Sequence, residues 1–517
     1  MLLLLACTGP DGTTPYAKPG GDTSGETGGT AETGDSGTHT GETGDTGDSY
    51  AERAVSDTVD VVIVGGGPAG LAAAIEADAA GASWVVLERE EEVGGAALWA
   101  GGLMMFAGSA EQEDAHIEDS AEDLLAEWTD ITGGDPEDEW VQFFAYNHVA
   151  EVRDWLEGFG AGWSTPTYDP SAGTVARIST VDGGGPGLVA NLHDQLDEGR
   201  IRYRAEAQDL VVGADGAIAG VAWHDMDTGE EWRVDATATV VATGGFMHNL
   251  ERVVEERPDL AGVDLRYASW PGSDGNGLSL LEGYGAATSN LGAAGIYAHA
   301  APSPVDDGDE VRVYFLNETA WLNVDAERFC NEDDTNSFKV GATRAVQPEG
   351  LVWAFADDVL VGDPSFTSAA DPSVKYTLAE LQEAGVAFQA DTLAELAALV
   401  SLDTDAVEGT IGAFNDSIAG LEADPYREDA APGTTIDTAP FHAFQVAASP
   451  AKAFGGIDTD LQGRVLDTSG APIPGLYAAG ELTGMAGGSL VGEYGFTGSL
   501  TAVVLSGRVA GASAAGG

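Results

Sequence analysis

Lysine is nearly absent from this chain. Its 517 residues hold only Lys18, Lys339, Lys375 and Lys452, and 21 basic residues in all stand against 86 acidic ones. The net charge of −65 repels nucleic acid and anionic lipid surfaces, so neither is an expected partner. Such a field suits solubility in high salt, where screening confines repulsion to short range; a lineage composition with no salt requirement is the other reading. Cysteine is equally scarce. Cys7 and Cys330 alone cannot build a disulfide framework, a zinc site or an iron–sulfur ligand set, and no metal is expected. Cys330 lies in Arg328-Phe-Cys-Asn-Glu332 and reads as a buried small hydrophobe. Long apolar runs are missing too. The terminal Met1-Leu-Leu-Leu-Leu-Ala-Cys7 is much too short to span a bilayer.

Glycine is plentiful, and its most telling use is in Asp60 to Gly95. Val61, Val62, Ile63 and Val64 form the unbroken apolar run of a parallel strand covered on both faces. Gly65, Gly67 and Gly70 then give G-x-G-x-x-G into a helix from Pro68 and Ala69 to about Ala80, ended by Gly81. Gly65 permits the turn, Gly67 lets backbone N–H groups approach a pyrophosphate, and Gly70 lets helix and strand pack closely. The helix N-terminus carries about half a positive charge, which suits a diphosphate. A second strand, Trp84 to Leu87, ends at Glu88, a carboxylate placed for the ribose hydroxyls of an adenine dinucleotide. Strand, turn, helix, strand and acid in that order predict a dinucleotide site.

Three further glycine stretches follow. They are Gly94-Gly95 with Gly101-Gly102, Val240-Val-Ala-Thr-Gly-Gly-Phe246, and Gly475-Leu-Tyr-Ala-Ala-Gly-Glu481. With the first motif they resemble, in order, the FAD-binding family of fumarate reductase and succinate dehydrogenase flavoproteins, 3-ketosteroid dehydrogenases and tricarballylate dehydrogenase. The resemblance covers about Asp57 to Ser513. It implies an α/β protein: a Rossmann-like FAD-binding domain over 58–294 and 449–517, interrupted by an α+β capping domain over 295–448. It also implies that Gly94, Gly95, Gly101 and Gly102 wrap the cofactor, that backbone near Ala207 faces the adenine, and that Thr243, Gly244 and Glu481 contact it. Gly498, Ser499 and Leu500 open a C-terminal helix pointing at the flavin. Asp274, in Gly272-Ser-Asp-Gly-Asn-Gly277, stands where relatives contact cofactor, and equally reads as a helix cap. The succinate dehydrogenase branch links FAD to a histidine after the glycine pair. Here Ala96-Ala-Leu-Trp-Ala100 has none, so FAD is expected to be non-covalent.

The same resemblance implies hydride transfer between substrate carbon and flavin N5, with CH–CH dehydrogenation or reduction of an activated C=C bond in a small molecule. His299 matches a histidine that binds a substrate carboxylate, and Lys452 replaces a second histidine. Asn336 replaces an acid arginine, and Tyr494 replaces a clamp arginine. Tyr494 with Gly498 instead matches the Y-x-x-x-G of the steroid enzymes. Two cations of the fumarate clamp are missing, so fumarate itself is not the expected substrate; Arg344 and Arg312 are the cap residues able to restore the clamp if they reach the site. With no C-x-x-C-H haem motif, electrons need a separate donor or acceptor. A second reading is a flavin-bearing electron-transfer or binding lipoprotein with a vestigial site.

Leu4-Leu5-Ala6-Cys7 resembles the end of a bacterial lipoprotein signal over 1–7, without a basic leader; a start codon assigned too late would account for that. Lipid on Cys7 would be the sole membrane contact and would place the protein in the cell envelope, outside the cytoplasm. Residues 8–57, rich in Gly, Thr, Asp and Glu, read as a disordered tether. Helical spacing of Trp140, Phe143, Phe144, Val149, Val152 and Trp155 predicts a core helix over 138–159. Leu103 to Phe106 reads as core, or as an apolar pocket wall.

Overall fold

The computed structural model describes residue 50 and residues 53–298, 300–305, 310–313, 316–332, 337–362, 366–368, 374–426 and 434–516. Its central sheet grows from the apolar run after Asp60. β1 (Ala54–Val64) leads through the helix Pro68–Ala79 to β2 (Trp84–Leu87). The two strands pair in parallel, with Val61 opposite Trp84 and Val64 opposite Leu87. β3 (Leu103–Met105) and β4 (Ile178–Thr180) form a separate antiparallel ribbon. Then come β5 (Ile201–Arg202), β6 (Ala205–Val212), β7 (Ile218–Asp225) and β8 (Glu231–Val241). Across the sheet the order is Arg464–Leu466, Pro472–Ala478, β8, β1, β2, β5, with β7 paired to β8 and β6 to β7.

β1 is parallel to both neighbours, β2 and β8, so nothing but side chains can cover it. Val61 and Ile63 face a core that includes the helix Pro68–Ala79 and the C-terminal helix Leu500–Gly516. Val62 and Val64 face a second core with Phe246, Leu278 and Leu281. All four valine and isoleucine side chains are buried, each contributing about 1.5–3 kcal/mol by the transfer scale.

The two helices on the first face lie unusually near each other. A Cβ on Gly507 would stand 2.3 Å from the Ala69 carbonyl oxygen, and one on Gly511 would stand 2.3 Å from that of Ala73. Only glycine opposite alanine allows this approach, which explains the small-residue composition of both helices.

Three expectations are corrected in detail. The tether ends before residue 58, because Ala54, Val55 and Asp57 already pair with Trp232, Arg233 and Val234 of β8. Sequence pattern alone reads Tyr203 to Val212 as one strand; the chain instead turns at Arg204, with a φ of +54°, between the main sheet and the meander. The helix over 138–159 contains a π-helical stretch, Val149–Asp154, flanked by α-helical Glu139–His148 and Trp155–Glu157. Its predicted side chains are buried or half-buried, and Cys330 is buried as expected.

Between Ala294–Tyr297 and Ser449–Ala453, which pair with each other antiparallel, the chain builds a separate α+β unit. Among the described residues it has two four-stranded sheets, one centred on Glu310–Arg312 and Phe366–Ser368, the other on Trp353–Asp357 and Phe441–Gln445. Helices Leu393–Leu399 and Thr404–Ile418 pack on the second sheet, while Leu381 of the helix Leu378–Glu383 joins the core that both sheets share.

Candidate cofactor and active site

The C-terminal ends of β1, β2, β8 and the strand Pro472–Ala478 meet along one edge of the sheet. Gly65 leaves β1 at φ +101°, and a Cβ there would stand 2.5 Å from the Ala242 carbonyl oxygen. Gly70 is tighter still, its Cβ direction ending 1.9 Å from the Gly65 oxygen. Both glycines are therefore compelled by packing. Gly67 differs, since a Cβ there meets only the Gly94 oxygen at 4.0 Å. Gly95 opens on nothing within 4 Å, and Gly244 only on Ser273 Oγ at 3.9 Å. These backbone positions line a groove that a ligand's phosphates can approach without side chains between. Thr243 Oγ1, at the same edge, is buried and has no hydrogen-bond partner in the protein. The groove and this unmatched hydroxyl fit an adenine dinucleotide.

Pro68 is the first helical residue and Ala69 follows it in the first turn, so the helix presents its N-terminus to the groove. Glu88 is buried beside it. Its carboxylate accepts N–H donors from Gly66 at 2.6 Å and Glu90 at 2.8 Å, and burial pushes its pKa up. The Gly94–Gly95 turn rests on the glycine loop through a Gly94 N–H to Gly66 C=O bond of 2.9 Å. Gly102, at φ +76°, passes against the Gly184 backbone, and Gly101 precedes it with its Cβ direction clear to 3.9 Å. Ala207 sits at a bulge in β6, opposite Trp223. Asp274 stands one residue before the N-cap position, Gly275, of the helix Asn276–Gly283. Its carboxylate accepts the first helical N–H, that of Asn276, at 3.0 Å and pairs with Arg89 at 2.6 Å.

Glu481 lies at the other end of the groove. Its Oε1 accepts the Ala453 N–H at 2.9 Å, and a Cβ on Gly245 would crowd it at 2.6 Å. Burial raises its pKa, opposed by the charge of Lys452. Gly498, at φ +89°, lies against Met105 N, and Ser499 bridges to Met104. Leu500 begins the final helix, whose Thr501 hydroxyl accepts the Met105 N–H at 3.0 Å. The helix N-terminus is thus anchored on β3. Met104, Met105 and Phe106 are core, as read from sequence, while Leu103 is 39% exposed.

Of the four residues expected to carry chemistry, His299 and Asn336 lie outside the described residues. Lys452 is half-buried with its ammonium 5.7 Å from the Phe338 ring centre. Tyr494 is half-buried; its hydroxyl lies by Glu493, which raises its pKa, and Lys339 Nζ stands 5.2 Å from its ring centre. Arg344 does not reach this place. It is fully buried in the cap with Nε donating to Val446 C=O at 2.8 Å and Nη1 to Gly350 C=O at 3.1 Å; burial lowers its pKa to about 10. Arg312 is exposed on its cap strand.

Sequence reasoning missed three residues here. Lys339, on the helix Ser337–Ala345, donates to the Asp130 carbonyl at 3.1 Å and so ties the cap to the flavin domain beside Tyr494. Asp169 is half-buried, accepts the Ser171 N–H at 2.8 Å, and neighbours the Thr497 hydroxyl and Lys452; burial pushes its carboxyl up and these partners oppose the shift. Thr497 immediately precedes Gly498. In a chain with four lysines, the location of each was a usable signal; Asp169 offered none beyond an Asp-Pro turn.

A Rossmann-like sheet with this glycine groove and an inserted α+β unit defines a flavoprotein. The chain belongs to the FAD binding domain family, whose model matches residues 60–492. It is 29% identical over 471 residues to the fumarate reductase (cytochrome) of Shewanella frigidimarina, covering 89% of this chain and 78% of that protein. It is 28% identical to the urocanate reductase of Eggerthella lenta, with 90% and 76% covered. To a KsdD-like steroid dehydrogenase of Mycolicibacterium smegmatis it is 27% identical, with 84% and 94% covered. In fold it is similar to 3-ketosteroid-Δ4-(5α)-dehydrogenase from Rhodococcus jostii, at TM-score 0.70 and 23% identity, with 90% of this chain and 99% of that one covered. An open flavocytochrome c3 fumarate reductase gives TM-score 0.68 at 24% identity, with 89% and 79% covered. FAD is the cofactor, and the chain is an FAD-dependent oxidoreductase acting on CH–CH or C=C bonds.

Gly67→Asp is expected to leave the fold intact, because space surrounds that Cβ direction, and to abolish FAD binding by setting a carboxylate against the pyrophosphate. Flavin stoichiometry of the purified variant, read beside thermal unfolding of both apo-proteins, checks this. Stoichiometric FAD in the variant would remove the groove from the account.

Proposed function

We propose that this enzyme acts on an activated C=C bond, or the corresponding CH–CH bond, in a small molecule with at most one carboxylate, such as an enoate, an enone or a steroid-like ketone. The observation that carries the reading is the fate of the arginines. Among the described residues, Arg312 and Arg344 are the arginines without a carboxylate ion pair; one is exposed, and the other is held by cap carbonyls. Among the described residues, no arginine is offered to hold a second carboxylate. Tyr494 and Lys452 remain, with His299 and Asn336 as further candidates from sequence.

FAD, bound non-covalently, supplies two-electron hydride chemistry at its N5. The positive N-terminal end of the helix Leu500–Gly516 would stabilise negative charge on the reduced cofactor. Lys452 binds a carboxylate or carbonyl oxygen by a charge-assisted hydrogen bond, with the Asp169 and Glu481 carboxyls nearby. The Tyr494 hydroxyl polarises a carbonyl or moves a proton, and the capping unit over 295–448 excludes water. A separate donor or acceptor exchanges electrons with the enzyme.

Steady-state turnover with reduced viologen tests this reading. Monocarboxylate enoates or enones should be reduced faster than fumarate, and Lys452→Met should lower kcat/KM about 10-fold to 100-fold with FAD retained, as for loss of one charged hydrogen bond. Rapid fumarate turnover abolished by Lys339→Ala would show a dianion clamp rebuilt from the cap and would overturn the reading. Absence of turnover across the panel, in a protein whose FAD is reducible, would favour the electron-transfer alternative.

We also infer that Cys7 carries lipid and that the protein works in the cell envelope, outside the cytoplasm. The Leu4-Leu5-Ala6-Cys7 pattern supports this; it lies outside the described residues, and no helix among the described residues is long and apolar enough to cross a membrane. Native protein should sediment with membranes and shift to the soluble fraction on Cys7→Ser. Full-length native protein in the soluble fraction with unmodified Cys7 would contradict it.

A further inference from the structure

β2 and β8 flank β1 on its two sides, so the segments rising from their C-terminal ends stand on opposite walls of the groove over the glycine loop. The β2 wall runs through Arg89 and, past the Gly94–Gly95 turn, to Trp99. The β8 wall runs through the Thr243-Gly244-Gly245 turn to Trp270 and Asp274, and is tied to that turn by Gly275 N–H to Gly245 C=O at 3.2 Å. Two contacts join these walls. Arg89 Nη1 and Asp274 Oδ2 are 2.6 Å apart. The rings of Trp99 and Trp270 meet edge to face, with centroids 4.9 Å apart and planes at 81°. One contact is ionic and the other aromatic, and nothing in the fold of either wall requires both.

Neither pair serves the core. Trp99 is 52% exposed, so its indole adds little to the core. The Arg89 and Asp274 side chains are 28% and 34% exposed, so the ion pair is partly screened and worth little as stability alone. Their shared feature is position, because each bridges the same two segments above β1's loop.

We propose that Arg89–Asp274 and Trp99–Trp270 form a clasp over the cofactor groove, which must open for FAD to enter or leave and so sets its residence time. This assigns Asp274 an indirect part: it holds Arg89 across the groove. It also gives a non-covalent flavoprotein a means of retaining its cofactor that does not depend on a covalent link.

The test follows FAD release from holoprotein by the rise of free-flavin fluorescence after dilution, a readout that needs no substrate. Trp99→Ala and Trp270→Ala should each speed release about fivefold, the worth of one aromatic pair. The double variant should release FAD no faster than the quicker single one, because either change already breaks the contact. Asp274→Asn keeps an acceptor for the Asn276 N–H while weakening the ion pair, and should speed release about threefold; Arg89→Ala should match it. Apo-protein melting temperatures should stay unchanged. Unchanged release rates would overturn the clasp. Acceleration by Arg89→Ala without Asp274→Asn would also overturn it, showing that Arg89 touches the cofactor directly, as would additive effects of the two tryptophan changes.

Discussion

Backbone brought within glycine distance of backbone is the constraint on which the rest depends. Gly70 against Gly65 starts the helix Pro68–Ala79 directly above the end of β1, and Gly507 and Gly511 lay the C-terminal helix against Ala69 and Ala73 of that first helix. Side chains at any of these places would separate the elements. With glycine there, both helices begin at the same edge of the sheet. One N-terminus opens at the glycine loop, and the other is anchored on Met104 and Met105. A cofactor with phosphates at one end and a ring that gathers electrons at the other is stabilised by both ends of this arrangement.

Charge is distributed just as unevenly. In a chain of net charge −65, most described arginines pair with carboxylates: Arg177 with Asp119 and Glu127, Arg328 with Glu332 and Asp424, Arg153 with Glu111. Those pairs hold local structure and leave little positive charge for other work. Two of the four lysines, Lys339 and Lys452, come together around Phe338, Tyr494 and Asp169. Two of the chain's few lysines therefore stand where cap and flavin domain meet.

The cofactor half of this was legible because its rules are local. A buried strand, a turn without side chains, a helix start and an acid fall within Asp60 to Glu88, and the strand Trp84–Leu87 matches the expectation residue for residue. The catalytic half was not. Asp169 meets Thr497 and Lys452 only because distant segments converge, and Arg344 looked available until Val446, far along the chain, proved to supply its carbonyl. The break at Arg204 was hidden because a positive φ at arginine has no sequence signal of the kind glycine provides. Trp99 and Trp270 gave no hint of their contact, since the walls that carry them are brought together by the strand order.

The central claim is that the groove over β1 holds one FAD without a covalent bond. It is tested most directly by the visible spectrum of the purified protein, followed by acid precipitation. The account predicts a yellow protein with one FAD per chain, all of it appearing in the supernatant. A colourless protein that takes up no added FAD would contradict the claim outright, and colour retained in the pellet would contradict its non-covalent part.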